Sequence, residues 1–133
     1  MPRLAANRLP AAWLLALLAA SPALAREPAA VRTELARADV STPGREAIVT
    51  RLEIAPGGGA PRHSHPGEEI SYVLEGEGEL LIDGEPARRV RAGDAFIVPA
   101  GKVHAAKNTG NGFLRVVVTH VVEKGKPVAI PAP

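Results

Sequence analysis

Between Glu46 and Ile54 the side chains alternate, with Ile48, Thr50, Leu52 and Ile54 on one face and Val49, Arg51 and Glu53 on the other. A period of two is the signature of a strand with one buried face. The rhythm returns from Leu114 to Glu123, where Leu114, Val116, Val118, His120 and Val122 share a face opposite Arg115, Thr119 and Glu123. Shorter runs predict strands over 31–38, 69–74, 79–82, 88–91, 95–98 and 104–108. Glycine and proline punctuate them: Gly57-Gly58-Gly59 closes the first alternating run, and Asp83-Gly84 predicts a tight hairpin, both residues tolerating positive φ. No stretch keeps a helical period for more than two turns. Eight or nine short strands joined by turn residues predict an all-β sandwich or barrel. The tail from Lys126 carries Pro127, Pro131 and Pro133 and is expected to be extended and loosely packed.

The start of the chain follows a different pattern. Arg3 and Arg8 precede an apolar run from Ala11 to Ala20, and Ser21-Pro22 leads into Ala23-Leu24-Ala25. Basic, apolar and small-residue segments in that order predict a secretory leader cleaved after Ala25, with an uncleaved anchor as the alternative. Residues 26–45 then form an N-terminal arm and first strand, 46–123 the barrel and 124–133 the tail. The expected location is periplasmic or secreted. The leader changes the charge argument, because the full chain has 16 basic and 14 acidic residues, a net charge of +2 and a sequence pI of 9.4. Two of the basic residues lie in the leader and no acidic ones do, so the segment after it is balanced. That removes the basis for a nucleic-acid partner, and no membrane contact is expected once the leader is cut.

At 133 residues the chain has room for one domain, and with no cysteine it has no disulfide, thiolate nucleophile or cysteine metal site. Any metal must be held by His, Asp or Glu. His63 and His65 share a strand face by parity, and Glu69, an even number of residues further on, keeps that parity if the turn at Pro66-Gly67 does not break it. Two imidazoles and a carboxylate then converge from one sheet edge. A later strand bringing His104 opposite them would give three nitrogens and one oxygen, a donor set for a divalent first-row metal rather than calcium or magnesium. The set does not choose among Fe, Mn, Zn, Ni and Cu. One such ion per chain is expected.

The surrounding glycines and prolines carry a family resemblance. Gly57, five residues, His63-Ser64-His65, three residues, Glu69, six residues and Gly76 resemble the first cupin motif. Gly93, five residues, Pro99, one residue, Gly101, two residues, His104, three residues and Asn108 resemble the second. The resemblance implies a double-stranded β-helix, or jelly-roll, barrel with a metal inside, bound by His63, His65, Glu69 and His104. It extends to small quercetin-dioxygenase-like cupins, in which the carboxylate ligand can also accept a proton, so Glu69 is the candidate catalytic residue.

If the ligand face is interior, Ser71 and Val73 continue it, and Ile48, Thr50, Leu52, Val116 and Val118 line the same pocket. His120 lies on the apolar face of its strand, either as a hydrogen-bonded core histidine or as a group touching the site. Arg62, next to the first ligand, is a candidate for orienting an anionic substrate. Arg88-Arg89-Val90-Arg91 is read as a solvated edge strand, whose charges discourage aggregation. The mostly aliphatic lining suits a small apolar or aromatic ligand. Together these features predict a metal-dependent, dioxygenase-like oxidoreductase acting on a small organic molecule. A non-catalytic module holding metal or a small ligand, and a metal-dependent isomerase or lyase, are the alternatives. So small an aliphatic barrel gains from covering a sheet face with a second copy, and a homodimer is expected.

Overall fold

A computed structural model describes residues 30–133; the leader expected over 1–25 lies outside the described residues. The strands in chain order are β1 (Ala30–Asp39), β2 (Arg45–Ile54), β3 (Gly59–Ser64), β4 (Gly67–Glu75), β5 (Glu77–Ile82), β6 (Arg88–Arg91), β7 (Ala95–Val98), β8 (His104–Asn108), β9 (Leu114–Glu123) and β10 (Ile130–Pro131). They form two five-stranded antiparallel sheets, ordered β1-β2-β9-β4-β7 and β10-β3-β8-β5-β6. Apart from β1–β2 and β5–β6, neighbours in each sheet are not consecutive in the chain, which therefore passes repeatedly between sheets. This is the double-stranded β-helix.

Alternation decides which face is buried. In β2 and β9 every second residue is buried, and their register sets Thr50 opposite Val118 and Leu52 opposite Val116. Leu52, Val116 and Val118 join Ile54, Val73, Leu80, Val90 and Leu114 in one apolar core between the sheets. Burying an aliphatic side chain of this size contributes roughly 1.5–3 kcal/mol. Gly67 opens β4 because any side chain there would collide with the Val121 carbonyl of β9. Gly76 combines a φ of 82° with close approach to the Phe113 carbonyl, turning the chain from β4 into β5.

Three expectations change. β3 was not among the expected strands, because Gly59-Ala60-Pro61-Arg62-His63-Ser64 lacks an alternating apolar set; it pairs with β8 through a register shift between Ala60 and His63. Asp83-Gly84 does not make a two-residue hairpin: only Gly84 takes positive φ, and Leu80 pairs with Arg88, leaving a longer loop. The tail is extended but docked. Ile130 pairs with Ser64 and Pro131 with His63, while the Ala132 amide donates to the Arg62 carbonyl.

Candidate metal centre

The four candidate ligands arrive from both sheets. His63 ends β3 and lies directly across from His104 of β8, in one sheet. The chain then crosses over through His65 and Pro66, and Glu69 sits on β4 of the facing sheet. Convergence from a single sheet edge is therefore corrected: the crossover carries Glu69 to the opposite wall, and the inward faces of the two sheets bring the groups together. All four side chains are buried, with one donor atom from each lying within 4.8 Å of the others.

The histidine rings are held by their outer nitrogens. Nδ1 of His63 lies 2.7 Å from the Pro61 carbonyl, Nδ1 of His65 lies 2.5 Å from the Val128 carbonyl, and Nδ1 of His104 lies 3.0 Å from the Lys102 carbonyl. A carbonyl oxygen only accepts, so each Nδ1 carries a proton and donates it. In the neutral rings the Nε2 lone pairs are then left for the interior. Nε2 of His65 and Nε2 of His104 lie 3.0 and 3.1 Å from the same Glu69 Oε2. Two lone pairs do not face a carboxylate oxygen unless protons or a cation stand between them. Either two imidazolium ions share one oxygen, or a metal ion replaces both protons. The spacing accommodates a metal ion, since neighbouring ligands at right angles on bonds of about 2.1 Å are separated by roughly 3.0 Å, and it is also that of an N–H to oxygen hydrogen bond.

The other oxygen of Glu69 is fixed as well: Ser71 Oγ donates to Oε1 at 2.8 Å. Burial pushes the Glu69 carboxyl upward, but hydrogen bonds from His104, His120 and His65 outweigh it and hold the group below the usual carboxylate range. His63 is pushed down to about 4, by burial first and then by the charge of His104 and His65, against the raising influence of the Pro61 carbonyl. His104 moves upward; burial opposes this, and its bonds to Glu69 and the Lys102 carbonyl prevail.

His120 lies opposite Glu69 in the β4–β9 register, with Nε2 at 3.5 Å from Glu69 Oε2 and 3.3 Å from His65 Nε2. Its Nδ1 is buried and, among the described residues, has no hydrogen-bond partner. A cavity of about 40 Å³ adjoins the cluster, and Thr50, Leu52, Val116, Val118 and His120 line it as expected. That volume is enough for ordered water beside the cluster.

Other candidates lie elsewhere. Ile48 and Val73 are buried core residues outside the cavity wall, and Ser71 serves Glu69 rather than the lining. Arg62 is outside the lining too: it faces outward, its guanidinium bound to Asp83 at 2.6 and 2.8 Å, with Nε donating to the Pro133 carbonyl. Residues of a strand alternate, so the neighbour of an inward His63 points away. Sequence reasoning missed the Val128 carbonyl behind His65, and it missed Phe96 and Arg32 in the cavity wall.

Comparison with known proteins fits this geometry. The family model for the cupin domain matches residues 50–130. Dimethylsulfoniopropionate lyase DddQ of Ruegeria pomeroyi is 41% identical over 58 residues, covering 44% of this chain and 29% of the relative. Oxalate oxidase 1 of Hordeum vulgare is 37% identical over 79 residues, covering 53% of this chain and 39% of the relative. The chain thus spans about a third of the length of these relatives. Among solved structures, a Klebsiella pneumoniae protein with a double-stranded β-helix domain superposes with a TM-score of 0.66 at 22% identity, over 83% of this chain and 85% of that one.

Proposed function

The chain belongs to the cupin domain family, and from that premise we propose that it is a metal-dependent oxidoreductase acting on a small organic substrate held beside the His63, His65, Glu69 and His104 cluster. One observation carries the metal: three rings whose Nδ1 protons are committed to carbonyls turn their Nε2 atoms inward, two of them onto one carboxylate oxygen. The protonated alternative packs cationic rings with centroids 5.1 Å apart in a buried site, where repulsion is costly. A divalent transition metal, when bound, supplies a Lewis acid and, for redox-active ions, an electron carrier.

The chain's own residues do the rest. Ser71 holds Glu69 in one rotamer, and Val128, Pro61 and Lys102 hold the rings. Hydrogen bonds keep Glu69 ionised despite its burial, so a carboxylate stands beside the substrate position as the candidate proton acceptor. The wall beyond the cluster is mostly apolar, and the 40 Å³ cavity favours a small substrate. In this reading the protein is exported by the leader and works as a homodimer outside the cytoplasm. An oxidoreductase is placed ahead of a lyase because the stretch resembling oxalate oxidase covers more of the chain than that resembling the lyase.

The test is metal content of the exported protein, with oxygen consumption measured on short hydroxy and keto acids. Near-stoichiometric metal is expected, lost in the double variant His63→Ala, His104→Ala, with oxygen uptake abolished by Glu69→Gln. Full metal without oxygen uptake on any of these acids would leave a binding module or a lyase. Metal below a tenth of an equivalent, unchanged in the double variant, would remove the metal centre.

A further inference from the structure

We propose that the cavity takes a short organic carboxylate and that Arg32, on the outermost strand of the first sheet, is the side chain that recognises it. This builds on the reading of the cavity as a substrate site and names the substrate's chemical class.

Arg32 pairs with Leu52 across β1 and β2, so its side chain leaves the sheet on the face that Leu52 turns to the cavity. It contributes to the cavity wall while staying exposed, which places it at the mouth. The carboxylates that would otherwise neutralise its charge are already engaged. A bulge between Glu34 and Ala36 shifts the parity of β1 and brings Arg37 opposite Ile48. From there Arg37 binds both oxygens of Glu34, at 2.8 and 3.1 Å, and reaches Glu46 at 2.8 Å. Among the described residues Arg32 forms no ion pair.

Outside the His/Glu cluster and its neighbour His120, Arg32 is the one charged side chain in a wall otherwise made of aliphatic residues, Phe96 and the Thr50 hydroxyl. A guanidinium at the rim of an apolar cavity matches a planar carboxylate whose carbon body enters that cavity. A cavity of about 40 Å³ favours an acid with a short carbon body. A more strongly hydrated anion such as phosphate has no further donors in the apolar wall to replace its water.

Propionate and its neutral isostere propionamide separate charge recognition from shape. Binding is followed through the methyl resonances of Ala60 and Ala106, both in the cavity wall, in zinc-loaded and in metal-stripped protein. Propionate is expected to bind about tenfold more tightly than propionamide in both forms. Arg32→Gln should erase that preference, and Arg32→Lys should keep part of it. Arg32 is on an exposed edge strand, so the fold is expected to survive either change. Propionate binding that disappears on removing zinc and is untouched by Arg32→Gln would assign recognition to the metal and overturn the inference. Equal binding of acid and amide to the unaltered protein would overturn it as well. The enzyme reading stands or falls separately: Arg32-dependent binding without turnover leaves this inference intact, and turnover with an indifferent Arg32 refutes it alone.

Discussion

At the scale of single residues, the pH response follows from the cluster's opposed histidines. His63 titrates near 4 in the folded chain and at 6.5 unfolded, so between those values the unfolded state binds the extra proton. Stability of the metal-free protein therefore falls as pH drops from 6.5 toward 4. His104 has the opposite sign: its contribution is complete below 6.5 and is lost as pH rises through its raised folded value. Glu69, held low, adds stability above its ordinary value of 4.5 and loses it only further down. Urea unfolding of stripped protein between pH 6.5 and 4.5 isolates the His63 effect, and a midpoint that stays flat or rises there would contradict it. Asn108 allows a cleaner substitution because it touches no candidate ligand. Its Nδ2 donates to the Ile54 and Gly112 carbonyls at 2.8 Å each, and its Oδ1 accepts from the Gly110 amide at 2.9 Å. Asn108→Ala removes three hydrogen bonds, one of them to the buried Ile54 carbonyl, and should cost about 1–2 kcal/mol in chemical denaturation, with metal content unchanged.

At the scale of elements, what could be read in advance was whatever obeys a period. β2 and β9 alternate over ten residues each, and their buried faces fall where the pattern puts them. The grouping of the candidate cluster was legible for a related reason, since histidines and glycines at fixed spacing report a local chain path. Pairing across the fold was not legible. β3 has one apolar residue and a proline, so only its partner β8 makes it a strand. The inward turn of Arg32 depends on which strand closes the sheet beside the cavity, and no local pattern encodes that. The tail illustrates the same limit, because its prolines suggested loose packing while its backbone serves the site. Val128 supplies the carbonyl that fixes the His65 tautomer, and β10 pins the segment against His63. Deleting residues 126–133 should weaken metal affinity by about 10–100-fold, the usual effect of losing a group that orients a ligand. Competition with a chelator measures this, and circular dichroism should still report an intact β fold. Unaltered affinity in the truncated chain would show that the carbonyl does not set the ring.

At the scale of the whole molecule, the first sheet has an outer face unlike an ordinary solvated one. Ile70, Tyr72, Leu74 and Ile97 are all exposed there. Register makes them neighbours, with Ile70 beside Ile97 on one side and Thr119 on the other, and Tyr72 beside Val117. The apolar surface continues through Val49 and Ala47, which pair with Thr119 and Val121. A patch spanning four strands is large for a face left to water. The open edge of the sheet is protected differently. β1 alternates Arg32, Glu34, Arg37 and Asp39 with smaller residues, and such charges discourage strand addition. We therefore propose that two copies meet face to face across the first sheet rather than edge to edge through β1, since a two-fold contact needs only one self-complementary patch. Burying each large aliphatic side chain there contributes roughly 1.5–3 kcal/mol. Sedimentation should give a dimer at micromolar concentration, and the double variant Ile70→Lys, Ile97→Lys should give a monomer that keeps its metal, because both side chains are on the outer face of the sheet, away from the buried cluster. A wild-type monomer would sink the proposal. A dimer that survives both lysines would move the contact to another surface.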